Sequence, residues 1–455
     1  MVGRQVFTFA ACLGFVLVQL DVSIVNVGLH ALKHAYNAGV TDLEWVINAY
    51  SLVFAALLLT TGSLVDRFGS RVVFISGVMI FIVASVCCAF ASSIYGLDIL
   101  RGIQGLGAAL LVPSSLTLLR QYYNDGQQRA AAIAMWAAAG SLALVAGPVT
   151  GGVLIKYFGW KSIFLLNLPL GLISAGIIYR LAPAQAAQPV KMNYLSQLSM
   201  AGGLGLLTFT LTEAGRYGWA SWPTLTMLAA ALLAFCLWRQ SEKHAQNPMI
   251  AAEVLGNRLI LTAIGVGFLC NLVFYGAVFI FSIFFQNQLH LSAMATGIAF
   301  MPMMAFTALL NYSSKWFTRW LRVRTLSLLG SLMSLVGFAA LLFIAPAWGA
   351  MQLLVPMMLL GGGTSFAMPV MTNLVLSESS HQAAGSASAF FNCARQMGGV
   401  AGVAIFGMIL SASGGTSMTQ GLKMVALSAC LFAIFWLVIG YRCLPARKLH
   451  SLHMA

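Results

Sequence analysis

Fourteen apolar stretches, each about long enough to cross a bilayer, leave this chain almost no fold other than a bundle of membrane helices. A helix needs about 20 apolar residues to cross the hydrocarbon core, and helices are one of only two structures that satisfy their own backbone there. Six runs lie near 5–31, 43–64, 71–92, 96–119, 129–155 and 162–181. Two follow near 195–213 and 222–240, and six more near 259–286, 294–313, 325–344, 350–375, 384–411 and 421–441. Only Ser92, Ser93 and their neighbours part the third run from the fourth. Sixty per cent of residues are hydrophobic and 7% are charged, where a soluble chain carries roughly a quarter charged. The first run passes any small-residue cleavage position and continues into Asp21 and Asn26, which reads as a spanning helix rather than a cleaved signal. Cys12, Cys87, Cys88, Cys236, Cys270 and Cys430 sit inside apolar runs without paired spacing and read as small hydrophobes.

The net charge of +14 does not point to nucleic acid, because the basic residues are scattered singly instead of sharing one face. They act as topology signals. With both termini inside, 17 of the 24 Lys and Arg residues fall in cytoplasmic segments: Arg4, Arg67, Arg71, Arg120, Arg129, Arg180, Lys191, Arg239, Lys243, Arg258, Lys315, Arg319, Arg322, Arg324, Arg442, Arg447 and Lys448. Lys33, Lys156, Lys161, Arg216 and Lys423 fall outside, and Arg101 and Arg395 lie within helices. That is a strong positive-inside bias, and an odd error in the count of spans would destroy it.

The two halves echo each other. Arg324 and Gly330 stand where Arg71 and Gly77 do, with Arg319 in place of Asp66, and Gly107-x5-Pro113 recurs as Gly363-x5-Pro369. Weak symmetry of this kind is the mark of a duplicated transporter bundle. The expected organisation is a six-helix bundle over 1–185, a two-helix insert over 186–245 and a second six-helix bundle over 246–455.

Between the second and third runs stands a charged turn, Gly62-Ser63-Leu64-Val65-Asp66-Arg67-Phe68-Gly69-Ser70-Arg71. It resembles the G-x-L-x-D-R-x-G-R-[RK] loop of the major facilitator superfamily; Ser70 stands where the family usually has a basic residue. Leu20-Asp21-Val22-Ser23-Ile24-Val25-Asn26-Val27-Gly28-Leu29 is similar to the L-D-x-T-x-V-N-V-A-L-P motif of the fourteen-spanner drug:proton antiporter branch. Ser23, Gly28 and His30 replace its Thr, Ala and Pro. Arg101-Gly102-Ile103-Gln104-Gly105-Leu106-Gly107-Ala108-Ala109 resembles the R-x-x-Q-G-x-G-x-A pattern of helix 4. Gly140 and the Gly147-Pro148-x-x-Gly151-Gly152 core look like the superfamily's antiporter signature in helix 5. Gly159-Trp160-Lys161, running through Phe164, Asn167 and Pro169 to Gly171, resembles the branch's G-W-R-x-x-F-x-x-N-x-P-x-G run. These matches crowd residues 20–171, and the second half resembles the family only loosely.

The resemblance implies proton-coupled antiport by alternating access, with Asp21 and Arg101 in proton coupling. It makes Gly62, Asp66, Arg67, Gly69 and Arg71 a gating loop, and Gly140, Gly147, Pro148, Gly151 and Gly152 an antiporter motif that uniporters and symporters generally lack. The residues carry readings of their own. Asp21 lies roughly 15 Å from the outer end of its run at 1.5 Å per residue, and Arg101 lies about 12 Å from that side. A bare carboxylate at such depth must be protonated, paired or facing water. Asp21 is therefore either a neutral acid bonded to a neighbouring helix or a proton-coupling group. Arg101 is either its exchangeable partner or a static one, and Asp98, one turn earlier, competes for it. The glycines of the fifth run permit close helix contact whatever else they do, and Pro148 bends that helix. Asp66 can pair with a cation, Arg129 being a candidate.

The last six runs contain no Asp or Glu, because Glu378 falls in the loop before the thirteenth; Glu44 and Glu213 stand near outer ends. A doubly cationic substrate would find few countercharges, so neutral or singly charged substrates are expected. Arg395 either favours an anionic or neutral group or simply packs. Asn26, Gln104, Asn271, Tyr275 and Asn392 are candidate cavity-lining residues, and an aromatic such as Phe274 or Phe390 serves equally as core.

The expectation is an all-α integral membrane protein of 14 spans with the major facilitator fold, two six-helix bundles plus two inserted helices. Its expected function is proton-coupled export of small amphipathic compounds or drugs; the alternative is a dedicated exporter of one amino acid, sugar or siderophore. No G-x4-G-K-[ST] loop is present, so ATP drive is disfavoured. A flux-free sensor lacks a soluble domain here, and a channel lacks a repeated filter. The expected partners are a small-molecule substrate, protons and the lipid bilayer, with no nucleic acid, no cofactor, no metal and no enzymatic activity. The chain is expected to be a monomer in a bacterial inner membrane with both termini cytoplasmic.

Overall fold

The computed structural model describes residues 2–183, 193–243, 245, 248–345, 348–380, 383–412 and 418–446. Lys191, Arg447 and Lys448, which entered the charge bias, lie outside the described residues, as do the expected boundary at 185 and position 246. Regular structure among the described residues is helical. In order come α1 (Val2–Tyr36), α2 (Val40–Phe68), α3 (Ser70–Ala89), α4 (Ile94–Tyr122), α5 (Gly126–Phe158), α6 (Lys161–Leu165), α7 (Asn167–Leu181), α8 (Tyr194–Tyr217) and α9 (Trp222–Lys243). Then follow α10 (Ala252–Gly256), α11 (Arg258–Asn287), α12 (Ala293–Trp320), α13 (Val323–Leu341), α14 (Ala350–Ser377), α15 (Ala384–Ala412) and α16 (Met418–Cys443).

Taking α6 and α7 as one span, 13 helices among the described residues are long and apolar enough to cross a membrane. The fourteenth expected run is occupied by α8, a helix of 24 residues whose apolarity is diluted by Thr208, Thr210, Thr212 and Glu213. The sixth run is interrupted at Leu166, where Pro169 lacks the N–H that would bond the carbonyl of Leu165. Several starts carry the caps that local chemistry favours. Ser93 Oγ accepts from Gly96 N at 3.1 Å, Asp125 Oδ2 from Gln128 N at 2.8 Å, and Asn257 Oδ1 from Leu259 N at 2.9 Å. Large apolar side chains point away from the protein in numbers that water would not tolerate, among them Leu198, Trp222, Phe343 and Met351. Lipid is the solvent that accepts them.

The chain divides into two compact units, Met1–Ala201 with Ser292–Ile298, and Gly202–Leu291 with Ala299–Ala455. The core of the first joins Phe7 and Leu17 of α1, Tyr50 of α2, Phe74 and Phe81 of α3, and Leu111 of α4. In the second, α11 lies against α15 so closely that a Cβ on Gly398 would clash with the backbone of Phe268.

Candidate functional site

A polar network crosses the first unit through residues that are apolar only in their surroundings. Asp21, about midway along α1, is 2% exposed, and Arg101 of α4 is also 2% exposed. Arg101 Nη1 donates to Asp21 Oδ2 at 2.6 Å and to Gln104 Oε1 at 2.6 Å. Its Nε donates to the Val46 carbonyl of α2 at 3.0 Å, and its Cζ lies 4.4 Å from the ring centroid of Tyr50. The other carboxylate oxygen, Asp21 Oδ1, accepts from Gln104 Nε2 at 2.9 Å and from Asn167 Nδ2 at 3.1 Å. Ser85 of α3 closes the circuit. Its Oγ accepts from Gln104 Nε2 at 3.2 Å and Asn167 Nδ2 at 2.9 Å, and donates to the Phe164 carbonyl at 2.8 Å.

Burying an ion pair is tolerable only when the geometry is good and the remaining donors and lone pairs are satisfied. Here the contact is short, both carboxylate oxygens are bonded, and Arg101 Nε and Nη1 have acceptors. Asp98, the rival acid, makes no bond to Arg101, and its Oδ1 has no hydrogen-bond partner among the described residues. Asn167 and Ser85 were not singled out from sequence as site residues. Asn167 stood in view as the one amide of the run before Pro169, whereas Ser85 had no signal beyond a lone hydroxyl in an apolar run.

Glycines set the distances between these helices. A Cβ on Gly105 would collide with the Tyr50 backbone, so its absence lets α2 approach until Val46 O reaches Arg101. Gly147 of α5 does the same for α1: a side chain there would strike Ser23, two residues from Asp21. Gly140 faces Phe15 and Gly151 faces Ile24, so the expected motif lines the α1–α5 seam. Gly152 abuts Met294, and the Pro148 carbonyl stands against Gly297.

The charged turn is less tightly bonded. Gly69 holds φ at 83°, a conformation in which a side chain is strained. Arg67 Nη1 donates to Tyr194 Oη at 3.0 Å, and Arg71 Nη2 to the Tyr179 carbonyl at 2.6 Å. Asp66 is exposed, as is Arg129, and no bond joins them. A Cβ on Gly62 would meet nothing within 4 Å.

Of the candidate lining residues, Asn26 and Gln104 belong to the first unit and Asn271, Tyr275 and Asn392 to the second. Gln104 belongs to the ion-pair network, and Asn26 is buried with its Nδ2 donating to Val22 O of its own helix at 2.8 Å. In the second unit, Asn271 of α11 is 4% exposed. Tyr275 and Asn392 are half-buried, the Asn392 Nδ2 donating to Ser388 O at 2.9 Å.

Residues 11–403 match the profile of the Major Facilitator Superfamily. The chain is 34% identical over 404 residues to a methylenomycin A resistance protein of Bacillus subtilis, covering 88% of this chain and 86% of that one. It is 32% identical over 298 residues to the drug efflux pump JefA of Mycobacterium tuberculosis, covering 65% of this chain and 58% of that one. Its fold is similar to that of the peptide transporter POT, solved in complex with sulfate, with a TM-score of 0.74 at 14% identity over 97% of this chain and 96% of that one.

Proposed function

Because the chain belongs to the major facilitator superfamily, we propose that it is a proton-coupled antiporter that exports small amphipathic compounds, drugs among them, by alternating access. Relatives named for drug efflux and antibiotic resistance support export. The observation that carries the coupling is the buried Asp21–Arg101 pair at 2.6 Å. Protonating Asp21 would remove one charge and leave the guanidinium with Val46 O and Gln104 Oε1 as acceptors. An unbalanced charge in a low-dielectric site is costly, so proton uptake must accompany a change that admits water or moves Arg101. That requirement is how one proton can drive a conformational step.

On this reading Asp21 exchanges the proton, Arg101 responds to it, and Gln104, Asn167 and Ser85 hold the carboxylate in place. Gly62, Asp66, Arg67, Gly69 and Arg71 form the gating loop. Gly140, Gly147, Pro148, Gly151 and Gly152 form the seam along which α5 moves against α1. The organisation is a bundle over 1–185, an insert over 186–245 and a bundle over 246–455, in a bacterial inner membrane, with both termini cytoplasmic and the protein working as a monomer. Export of one dedicated metabolite is the second reading, and a relative named for resistance to a single compound favours it.

The test is drug efflux driven by an imposed pH gradient in proteoliposomes. Asp21→Asn is expected to abolish uphill efflux at unchanged reconstitution levels. Full uphill efflux by that variant, with protons still released on substrate addition, would overturn the assignment.

A further inference from the structure

Two donors on the α11–α15 seam of the second unit lack an acceptor among the described residues. Arg395 of α15 is half-buried, and its Nε is buried without a hydrogen-bond partner. Its Nη1 reaches Asn392 Oδ1 at 3.3 Å, a long bond, and its Cζ lies 5.7 Å from the Phe391 ring centroid. Across the seam, Asn271 Nδ2 is buried and also has no partner. A Cβ on Gly267 would lie 3.4 Å from Arg395 Cγ, and one on Gly399 would lie 3.0 Å from Tyr275 Cδ2. Residues 267, 271 and 275 recur every four positions, so Asn271 stands on the α11 face between those two contacts. After Glu253 the sequence holds one acid, Glu378, which caps the end of α14 and lies outside any span.

Buried donors are normally paired, and an intramembrane charge normally has a partner. Here the protein supplies a cation and an amide, and no acid. We propose that Arg395 and Asn271 bind the carboxylate of the exported compound, making amphipathic monoanions the substrate class. A guanidinium offers a planar fork that matches a carboxylate, and the half-buried Tyr275 offers an apolar face to the body of such a molecule. The inference rests on the exporter reading above and names its cargo.

The test is equilibrium dialysis of the purified full-length protein in detergent against 1-naphthoate and its uncharged counterpart 1-naphthamide. The unmodified protein is expected to bind the acid about 10- to 100-fold more tightly, the scale of a charge-assisted hydrogen bond. Arg395→Gln is expected to erase that preference, weakening the acid far more than the amide. Arg395→Lys keeps the charge without the fork and is expected to restore part of it, and Asn271→Leu to weaken it by a smaller factor. Acid binding no tighter than amide binding, or a preference that survives Arg395→Gln, overturns the proposal. If Arg395→Gln fails to fold, the Lys and Leu variants decide in the same way. No gradient is applied, so failure of proton-driven export in the Asp21→Asn assay and failure of the anion site are separate results.

Discussion

The polar cores of the two units are built on opposite principles. In the first, Asp21, Arg101, Gln104, Asn167 and Ser85 bond one another through both carboxylate oxygens and both side-chain amides, and balance the charge internally. In the second, the Arg395 Nε and the Asn271 Nδ2 have no acceptor among the described residues. A proton is small enough to be exchanged within a pre-formed pair. A molecule with a carbon skeleton must bring its own complement, and the site that receives it has to be left incomplete. On the proposed reading, ion coupling belongs to the closed network and cargo to the open one.

The sharpest way to break the comparison is to open the closed network. Arg101→Met strands Asp21 in the interior, and removing one partner of a buried pair costs about 3–5 kcal/mol. The thermal midpoint in detergent should fall accordingly, and adding Asp21→Asn should recover part of the loss. Absence of any recovery would mean that the two residues do not act as a pair.

Next in size is Gly147→Val, whose side chain would enter the space of Ser23 and cost about 1–3 kcal/mol through overpacking. Cysteine cross-links placed along α1 and α5 should lose efficiency in that variant, whereas binding of 1-naphthoate to the second unit should persist. Asn167→Ala removes two bonds at the edge of the network and should cost about 1 kcal/mol. The pH profile of transport should shift in that variant, which a purely structural Asn would not cause. The smallest effect concerns Glu253, whose carboxylate accepts from Ser380 N at 2.9 Å and Ser380 Oγ at 2.7 Å. Those bonds hold its acid below the ordinary carboxylate value. Its stabilisation is therefore present above the unfolded value near 4.3 and is lost as pH falls through the lower folded one. The gap in melting temperature between the parent and Glu253→Gln should be small at neutral pH and vanish in acid.

The order of spans was legible because hydrocarbon thickness imposes a length that no other constraint erases. The apolar runs near 43–64 and 325–344 reappear as α2 and α13 with altered ends. Asp21 and Arg101 stood out because charge in an apolar run is expensive and their depths agreed. Their junction with Asn167, Ser85 and the Val46 carbonyl was not legible. Those contacts bridge residues far apart in sequence, and helical period says nothing about which faces meet. Asp66 shows the converse: a strong motif fixed its neighbourhood, yet the candidate partner Arg129 is not bonded to it. Exposed long side chains are placed by solvent and not by packing. Arg395 was visible as a charge, but its lack of an acceptor belongs to the seam and not to the sequence.

The last six spans, from α11 onward, hold no acid, and this also bears on the electrical work of a transport cycle. If one proton enters for each monoanion that leaves, both movements carry positive charge inward. An interior-negative membrane then contributes about 2.3 kcal/mol per charge for every 100 mV, so the cycle gains from voltage twice over. A dication leaving by the same route would move against that field, and a neutral compound would engage it through the proton alone. Replacing the open guanidinium by a neutral residue would thus reset the voltage sensitivity of the pump without touching its proton pair.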